Sequence, residues 1–248
     1  MLIEKLKTSQ WDDKRDLIIP GNHDMTIAFC VEHFLTLAKA AIENHGAFYV
    51  ALSGGSTPKA IFERLSISSY DMIDWKKVYL FWSDERSVPP DSPESNYHMA
   101  MEAGLKKLPI KHIYRMVAEE NIEESAKAYE KTIHDTLKGK PFDLIMLGLG
   151  EDGHTASLFP NTEGLKAVDR EIIANFVPQK ATWRMTMTFT CINRATHTVF
   201  YVLGAGKKQM LAEVLKKNAP LIYPAQHVGT KINRALWIAD EAAGALLK

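Results

Sequence analysis

Short apolar runs alternate with longer amphipathic stretches along the chain, and the two periods predict different elements. Residues 48–52, 78–82, 142–147, 185–189, 197–203 and 235–239 are near-continuous apolar runs of strand length. Residues 24–44, 57–65, 96–105, 121–137 and 206–215 are predicted helices. In the first of these, Ile27, Val31, Phe34, Leu35, Ala38 and Ile42 recur at steps of three and four, which makes one apolar face. Strands that are apolar on both faces, separated by helices, predict an α/β fold with a mainly parallel sheet covered on both sides. In such sheets ligands gather beyond the carboxyl ends of the strands, so the chemistry is expected in segments that directly follow strands. No repeat, low-complexity tract or linker interrupts the pattern, and residues 1–248 read as a single domain.

Charge and cysteine content narrow the partners. Lys+Arg and Asp+Glu both total 30, so the formal net charge is zero. No basic surplus exists to hold nucleic acid, and an anionic ligand must be met by a few placed groups. Cys30 and Cys191 lie far apart in apolar contexts and are expected as reduced, buried thiols rather than a disulfide or a metal site. Residues 1–14 mix charged and apolar positions without the apolar core of a leader, and no apolar run approaches the ~18 residues that span a bilayer. A cytoplasmic protein without membrane contact or a cysteine-based metal site is the expectation.

Three segments after strands carry candidate chemistry. Ser53-Gly54-Gly55-Ser56-Thr57-Pro58 joins a strand to a helix. Its glycines permit a tight turn, Ser56 or Thr57 can cap the helix, and the helix start offers N–H donors to phosphate. The Gly-Lys-Ser/Thr ending of a Walker loop is absent, and an ordinary capped turn would look the same. Ser83-Asp84-Glu85-Arg86 places three charges at the end of an apolar strand, followed by Ser95-Asn96-Tyr97. Arg86 can bind an oxyanion, while Asp84 and Glu85 can accept sugar hydroxyls or hold Arg86; a solvated turn is the plainer reading.

The third segment is Gly148-Leu149-Gly150-Glu151-Asp152-Gly153-His154-Thr155-Ala156-Ser157-Leu158-Phe159-Pro160. His154 is the side chain here whose unperturbed pKa suits proton transfer near neutrality, and Asp152 can orient its ring. The spacing of Gly148, Gly150 and Gly153 imitates a dinucleotide fingerprint, but Pro160 cuts short the helix that fingerprint needs. Further on, Arg184 and Lys207 are cationic candidates. Lys207 stands at a predicted helix start, where a cation opposes the helix dipole and so lacks a local helical reason.

At these residues the sequence resembles the glucosamine-6-phosphate isomerase/6-phosphogluconolactonase superfamily, and within it the 6-phosphogluconolactonase branch. The resemblance runs from about residue 20 to the last strand, and Asp-Gly-His-Thr-Ala-Ser-Leu-Phe-Pro is its most specific piece. It implies a Rossmann-like α/β/α fold and hydrolysis of 6-phosphogluconolactone to 6-phosphogluconate without a cofactor. It also implies His154 as general base, Arg86 as a substrate-binding and charge-stabilising arginine, and the loop Ser53–Thr57 with Arg184 and Lys207 as phosphate contacts. The isomerase branch resembles Asp-Glu-Tyr and Asp-Gly-His-Ile-Ala-Phe-Asn-Glu at the corresponding motifs. Here Arg86 replaces that Tyr and Phe159 replaces the final Glu, so no carboxylate stands there to hold the histidine. A sugar-phosphate sensor without catalysis would keep the phosphate cradle but would need neither His154 nor Arg86.

Overall fold

The structure is a computed structural model that describes residues 8–68, 71–217 and 219–247. Residues 1–7, half of the segment read against a leader, lie outside the described residues. In chain order the strands are β1 (Ser9–Gln10), β2 (Arg15–Ile18), β3 (Phe48–Leu52), β4 (Val78–Trp82), β5 (Asp84–Arg86), β6 (His112–Ile113), β7 (Leu144–Leu147), β8 (Ile172–Val177), β9 (Thr182–Met187), β10 (His197–Val202) and β11 (Ala235–Ala239). The helices are α1 (His23–His45), α2 (Ser56–Ser68), α3 (Asn96–Glu102), α4 (Ile122–Leu137), α5 (Phe189–Arg194), α6 (Lys208–Leu215) and α7 (Glu241–Gly244).

Eight strands form the large sheet, in the order β1-β2-β11-β10-β7-β3-β4-β6. Every pairing in it is parallel except β1 with β2. The apolar runs explain this sheet: β3, β4, β7, β10 and β11 carry side chains such as Leu52, Trp82, Leu147, Phe200 and Trp237 that are shut off from solvent. From β3 the chain builds outward through β4 to β6, then returns to β7 on the other side of β3 and builds outward again through β10 and β11. The reversal between β3 and β7 opens a crevice at their carboxyl ends, flanked by the loops that begin at Ser53 and Gly148.

The helix α1 buries Ile27, Val31, Phe34 and Ala38 of the predicted face, with Cys30 beside them, while Leu35 and Ile42 pack half-buried against the core. By length and composition alone it would also pass for a bilayer-spanning helix, which a count of uninterrupted apolar residues does not reveal. Its apolar face is buried in the core beside the sheet. Both cysteines are free and buried, and burial pushes both thiols up, away from the reactive thiolate.

The prediction departs from the structure in the middle of the chain. The run at 185–189 is not a strand of the parallel sheet. Its strand is β9, which starts earlier at Thr182 and joins β5 and β8 in a separate antiparallel sheet of order β5-β9-β8. Thr188 ends that strand by capping α5, its hydroxyl accepting the Cys191 N–H. The segment read as a charged turn at Asp84–Arg86 is itself a strand of this small sheet. Ser83 links the two sheets, its N–H donating to Leu52 O and its carbonyl accepting from Met187 N–H.

Candidate active site

A cleft of about 580 Å3 lies where the crevice of the large sheet meets the edge of the small one. Ser53, Gly54, Gly55, Asp84, Arg86, Asp152, His154, Arg184 and Lys207 all line it. Ser56 and Thr57 do not; α2 begins at Ser56, so both sit inside its first turn rather than capping it. Five segments remote in sequence therefore converge on one space.

The loop after β7 is folded around its histidine. Gly150 N–H donates to His154 O at 2.9 Å, and Thr155 Oγ1 donates to Gly148 O at 3.0 Å. The imidazole lies so close over Gly150 that a Cβ there would sit 2.0 Å from His154 Nδ1, which only glycine avoids. Nδ1 is 2.5 Å from Asp152 Oδ1, and the same oxygen accepts the His154 backbone N–H at 3.2 Å. Burial works to raise the Asp152 carboxyl, but the bond from His154, its charge and backbone N–H donors outweigh it and hold the carboxyl below its usual value. An ionised carboxylate accepts only, so Nδ1 donates to it, and in the neutral ring Nε2 is then the nitrogen with the lone pair. Phe159 stacks on the ring face at 3.8 Å between centroids. The loop thus fixes the tautomer, the tilt and the exposed nitrogen together.

The small sheet supplies the positive charge. Arg86 on β5 and Arg184 on β9 are register partners, which places two guanidiniums side by side in the cleft. Arg86 Nη1 donates to Glu94 O, while the Nε of both arginines is buried without a partner. Among the described residues neither guanidinium pairs with a carboxylate. Burial first, and then the charge of Arg86, push the Arg184 guanidinium below its ordinary value, against the pull of Asp84, Glu85 and Glu94. Two crowded cations with unmet donors are arranged for an anion from outside the chain.

The neighbouring acids divide by role. Glu85 does not line the cleft; it is 3% exposed and accepts Ser95 Oγ at 2.9 Å with the N–H groups of Arg86, Asn96 and Tyr97, each at 2.8 Å. Burial raises its carboxyl and those four donors pull it back. It anchors the start of α3 and is not a sugar contact, which corrects one reading of the charged triplet. Asp84 faces the cleft but accepts Ser157 Oγ at 2.6 Å and Asn96 Nδ2 at 3.3 Å. Asn96 presses on the phosphate-loop candidate as well, since a Cβ at Gly54 would lie 1.9 Å from its Oδ1. On the far wall Lys207 precedes α6, and its ammonium is held by Leu149 O at 2.8 Å.

Sequence reasoning missed Gln179 and Lys180, which line the cleft from the turn between β8 and β9. No local pattern marks them; only the pairing of β8 with β9 carries that turn to the site. Among the described residues no group of three or more His, Cys, Asp or Glu is placed to hold a metal ion.

Comparison with known proteins gives the same grouping. The family model described as glucosamine-6-phosphate isomerases/6-phosphogluconolactonase matches residues 21–237. The 6-phosphogluconolactonase of Chlamydia pneumoniae is 40% identical over 232 residues, covering 92% of this chain and 89% of its own length. That of Nostoc sp. is 38% identical over 243 residues, covering 94% and 99%. Among solved structures, the 6-phosphogluconolactonase from Trypanosoma cruzi superposes with a TM-score of 0.86 at 26% identity, over 97% of this chain and 99% of its own. With a histidine loop, a paired-arginine seat and a crevice loop that all fall inside the matched span, the chain belongs to the glucosamine-6-phosphate isomerase/6-phosphogluconolactonase family.

Proposed function

We propose that the chain hydrolyses 6-phospho-D-glucono-1,5-lactone to 6-phospho-D-gluconate, the lactonase step of the oxidative pentose phosphate pathway. The carrying observation is the Asp152–His154 pair, which leaves Nε2 free in a cleft that also holds two guanidiniums with unmet donors. The names of the relatives support the same reaction.

In this reading Nε2 of His154 takes a proton from water as the oxygen attacks the lactone carbonyl carbon. Negative charge moves to the carbonyl oxygen, where the Arg86 guanidinium stabilises it; a well-placed donor contributes about 3 kcal/mol to such a barrier. The tetrahedral intermediate collapses by breaking the bond to the ring oxygen, which accepts the proton from the imidazolium. Asp152 remains ionised throughout and steadies the imidazolium. Arg184, Lys207 and the Ser53–Gly55 turn hold the phosphate. Asp84, fixed by Ser157 and Asn96, accepts from a sugar hydroxyl. No serine nucleophile is needed, because a lactone is already an activated ester.

Where the isomerase branch resembles a carboxylate beside the imidazole, Phe159 stacks an apolar face on the ring, and the ring's acceptor is Asp152 instead. A phosphosugar substrate, two free buried thiols and a zero net charge suit a cytoplasmic enzyme of small molecules that takes neither nucleic acid nor a membrane as partner. The test compares wild type with His154→Ala on freshly made lactone, after subtracting spontaneous hydrolysis. The variant should lose about 100-fold or more in kcat. Equal rates for the two proteins would sink the reading, and ammonia release from glucosamine 6-phosphate would replace it with the isomerase reaction.

A further inference from the structure

The turn between β8 and β9 places a fourth cation on the cleft. Lys180 is exposed, lines the cleft, and among the described residues no carboxylate pairs with it. The other three cations there are partly committed: Lys207 to Leu149 O, Arg86 to Glu94 O, and Arg184 to a half-buried position beside Arg86. Lys180 is nonetheless held by its backbone. Residues Pro178–Lys180 form one 3-10 turn, closed by Ala181 N–H donating to Pro178 O at 3.1 Å. Next to it, Gln179 Nε2 donates to Pro160 O at 2.7 Å, which ties the hairpin tip to the end of the segment that carries His154. The ammonium therefore stands at the rim on a fixed support.

Charge counting gives this lysine a task. The cleft is lined by the carboxylates Asp84, Glu151 and Asp152 and by four cations, Arg86, Lys180, Arg184 and Lys207. Without Lys180 the two signs cancel. A phosphate ester near neutral pH carries close to two negative charges, and the whole chain, with no net charge, supplies no general field to attract it.

We propose that Lys180 is a specificity residue that contacts the phosphate of the ligand from the hairpin tip and makes the cleft prefer phosphorylated over unphosphorylated sugar acids and lactones. The proposal rests on the phosphosugar reading of the cleft and adds to it a residue from outside its motifs. An exposed ammonium on a dianion contributes modestly, so Lys180→Ala should weaken 6-phosphogluconate binding about five- to tenfold. The loss should shrink in high salt, because the contact is at the rim.

The experiment is titration calorimetry of wild type, Lys180→Ala and Lys180→Arg with 6-phosphogluconate and with gluconate, alongside lactone hydrolysis. Support is a fall in the 6-phosphogluconate to gluconate affinity ratio in Lys180→Ala, recovered in Lys180→Arg, with the kinetic loss in KM and not in kcat. Equal loss for both ligands, no loss, or no recovery with arginine would overturn it. Wild-type protein that binds 6-phosphogluconate in this Lys180-dependent way but hydrolyses no lactone would overturn the hydrolase reading alone. Hydrolysis with phosphate preference intact in Lys180→Ala would overturn this proposal alone, and a wild type without any phosphate preference would overturn both.

Discussion

The two sheets contribute to the cleft in opposite ways. The large parallel sheet is an apolar frame, and its share of the site is loops: Ser53–Gly55 after β3 and Gly148–His154 after β7, fixed by short local bonds and by the crevice between those strands. The small antiparallel sheet puts its own strand residues into the cleft, Arg86 from β5 and Arg184 from β9, and brings them together by cross-strand register. One sheet positions a proton acceptor through loop geometry and the other positions charge through pairing. Damage to the histidine loop should therefore appear in turnover, and damage to the small sheet in folding, in affinity or, at Arg86, in turnover as well.

The sharpest break in that division is Glu85→Ala. The substitution strips the acceptor from four buried donors at the junction of β5 and α3 while leaving the cleft lining untouched. A loss of about 3 kcal/mol in stability is expected, since unsatisfied buried donors cost about 1–3 kcal/mol and a buried carboxylate's network more. Thermal unfolding should fall by roughly 6–12 °C. A melting temperature unchanged from wild type would show that the small sheet does not depend on this anchor.

Next in size is Asp152→Asn, which acts on the loop of the large sheet. Its expected signature is a fall in kcat of about 30-fold or more, with KM nearly constant, because the ring loses the partner that fixes its tautomer. The sign of the pH effect follows from Asp152. Its carboxyl is held below the usual value, so its link with His154 is at full strength above about pH 4, where a free aspartate titrates, and is lost only as pH falls further. Below that pH the wild type should lose the stability that the pair contributes, and the Asn variant, which has no carboxylate to protonate, should not. Thermal melting between about pH 6 and pH 3 reads this, and equal acid losses in the two proteins contradict it.

The smallest of the three is Arg184→Ala. Here KM for the lactone should rise about tenfold while kcat changes by less than threefold, as for a contact to the phosphate distant from C1. Steady-state kinetics distinguish this from the catalytic role given to Arg86. A large fall in kcat with KM preserved would mean that the arginine pair acts as a unit on the oxyanion.

Much of this architecture is legible in the order of residues, and for a definite reason. A buried parallel strand must be apolar on both faces, so β3, β4 and β11 stand out with the bounds they have in the fold. A histidine turn folded by bonds within a few residues is also a local object: His154 can be singled out from spacing with Asp152 as a candidate partner, and the fold supplies their contact. The short strands of the small sheet carry no such mark. β5 is three charged residues, and β8 and β9 mix buried and exposed positions without clean alternation, so their pairing cannot be read from pattern.

The frame, the histidine loop and the types of residue that meet a phosphosugar are each encoded within a few neighbouring positions, and the amino-acid order alone specifies them. Which charges share the cleft is a property of the folded chain. Folding set Arg86 beside Arg184, withdrew Glu85 to anchor α3, and carried Lys180 to the rim. Those assignments depend on strand register and on contacts between segments as much as 98 residues apart, as Arg86 and Arg184 are. Charge at long separation leaves no periodic trace in a chain; tertiary pairing alone brings it together.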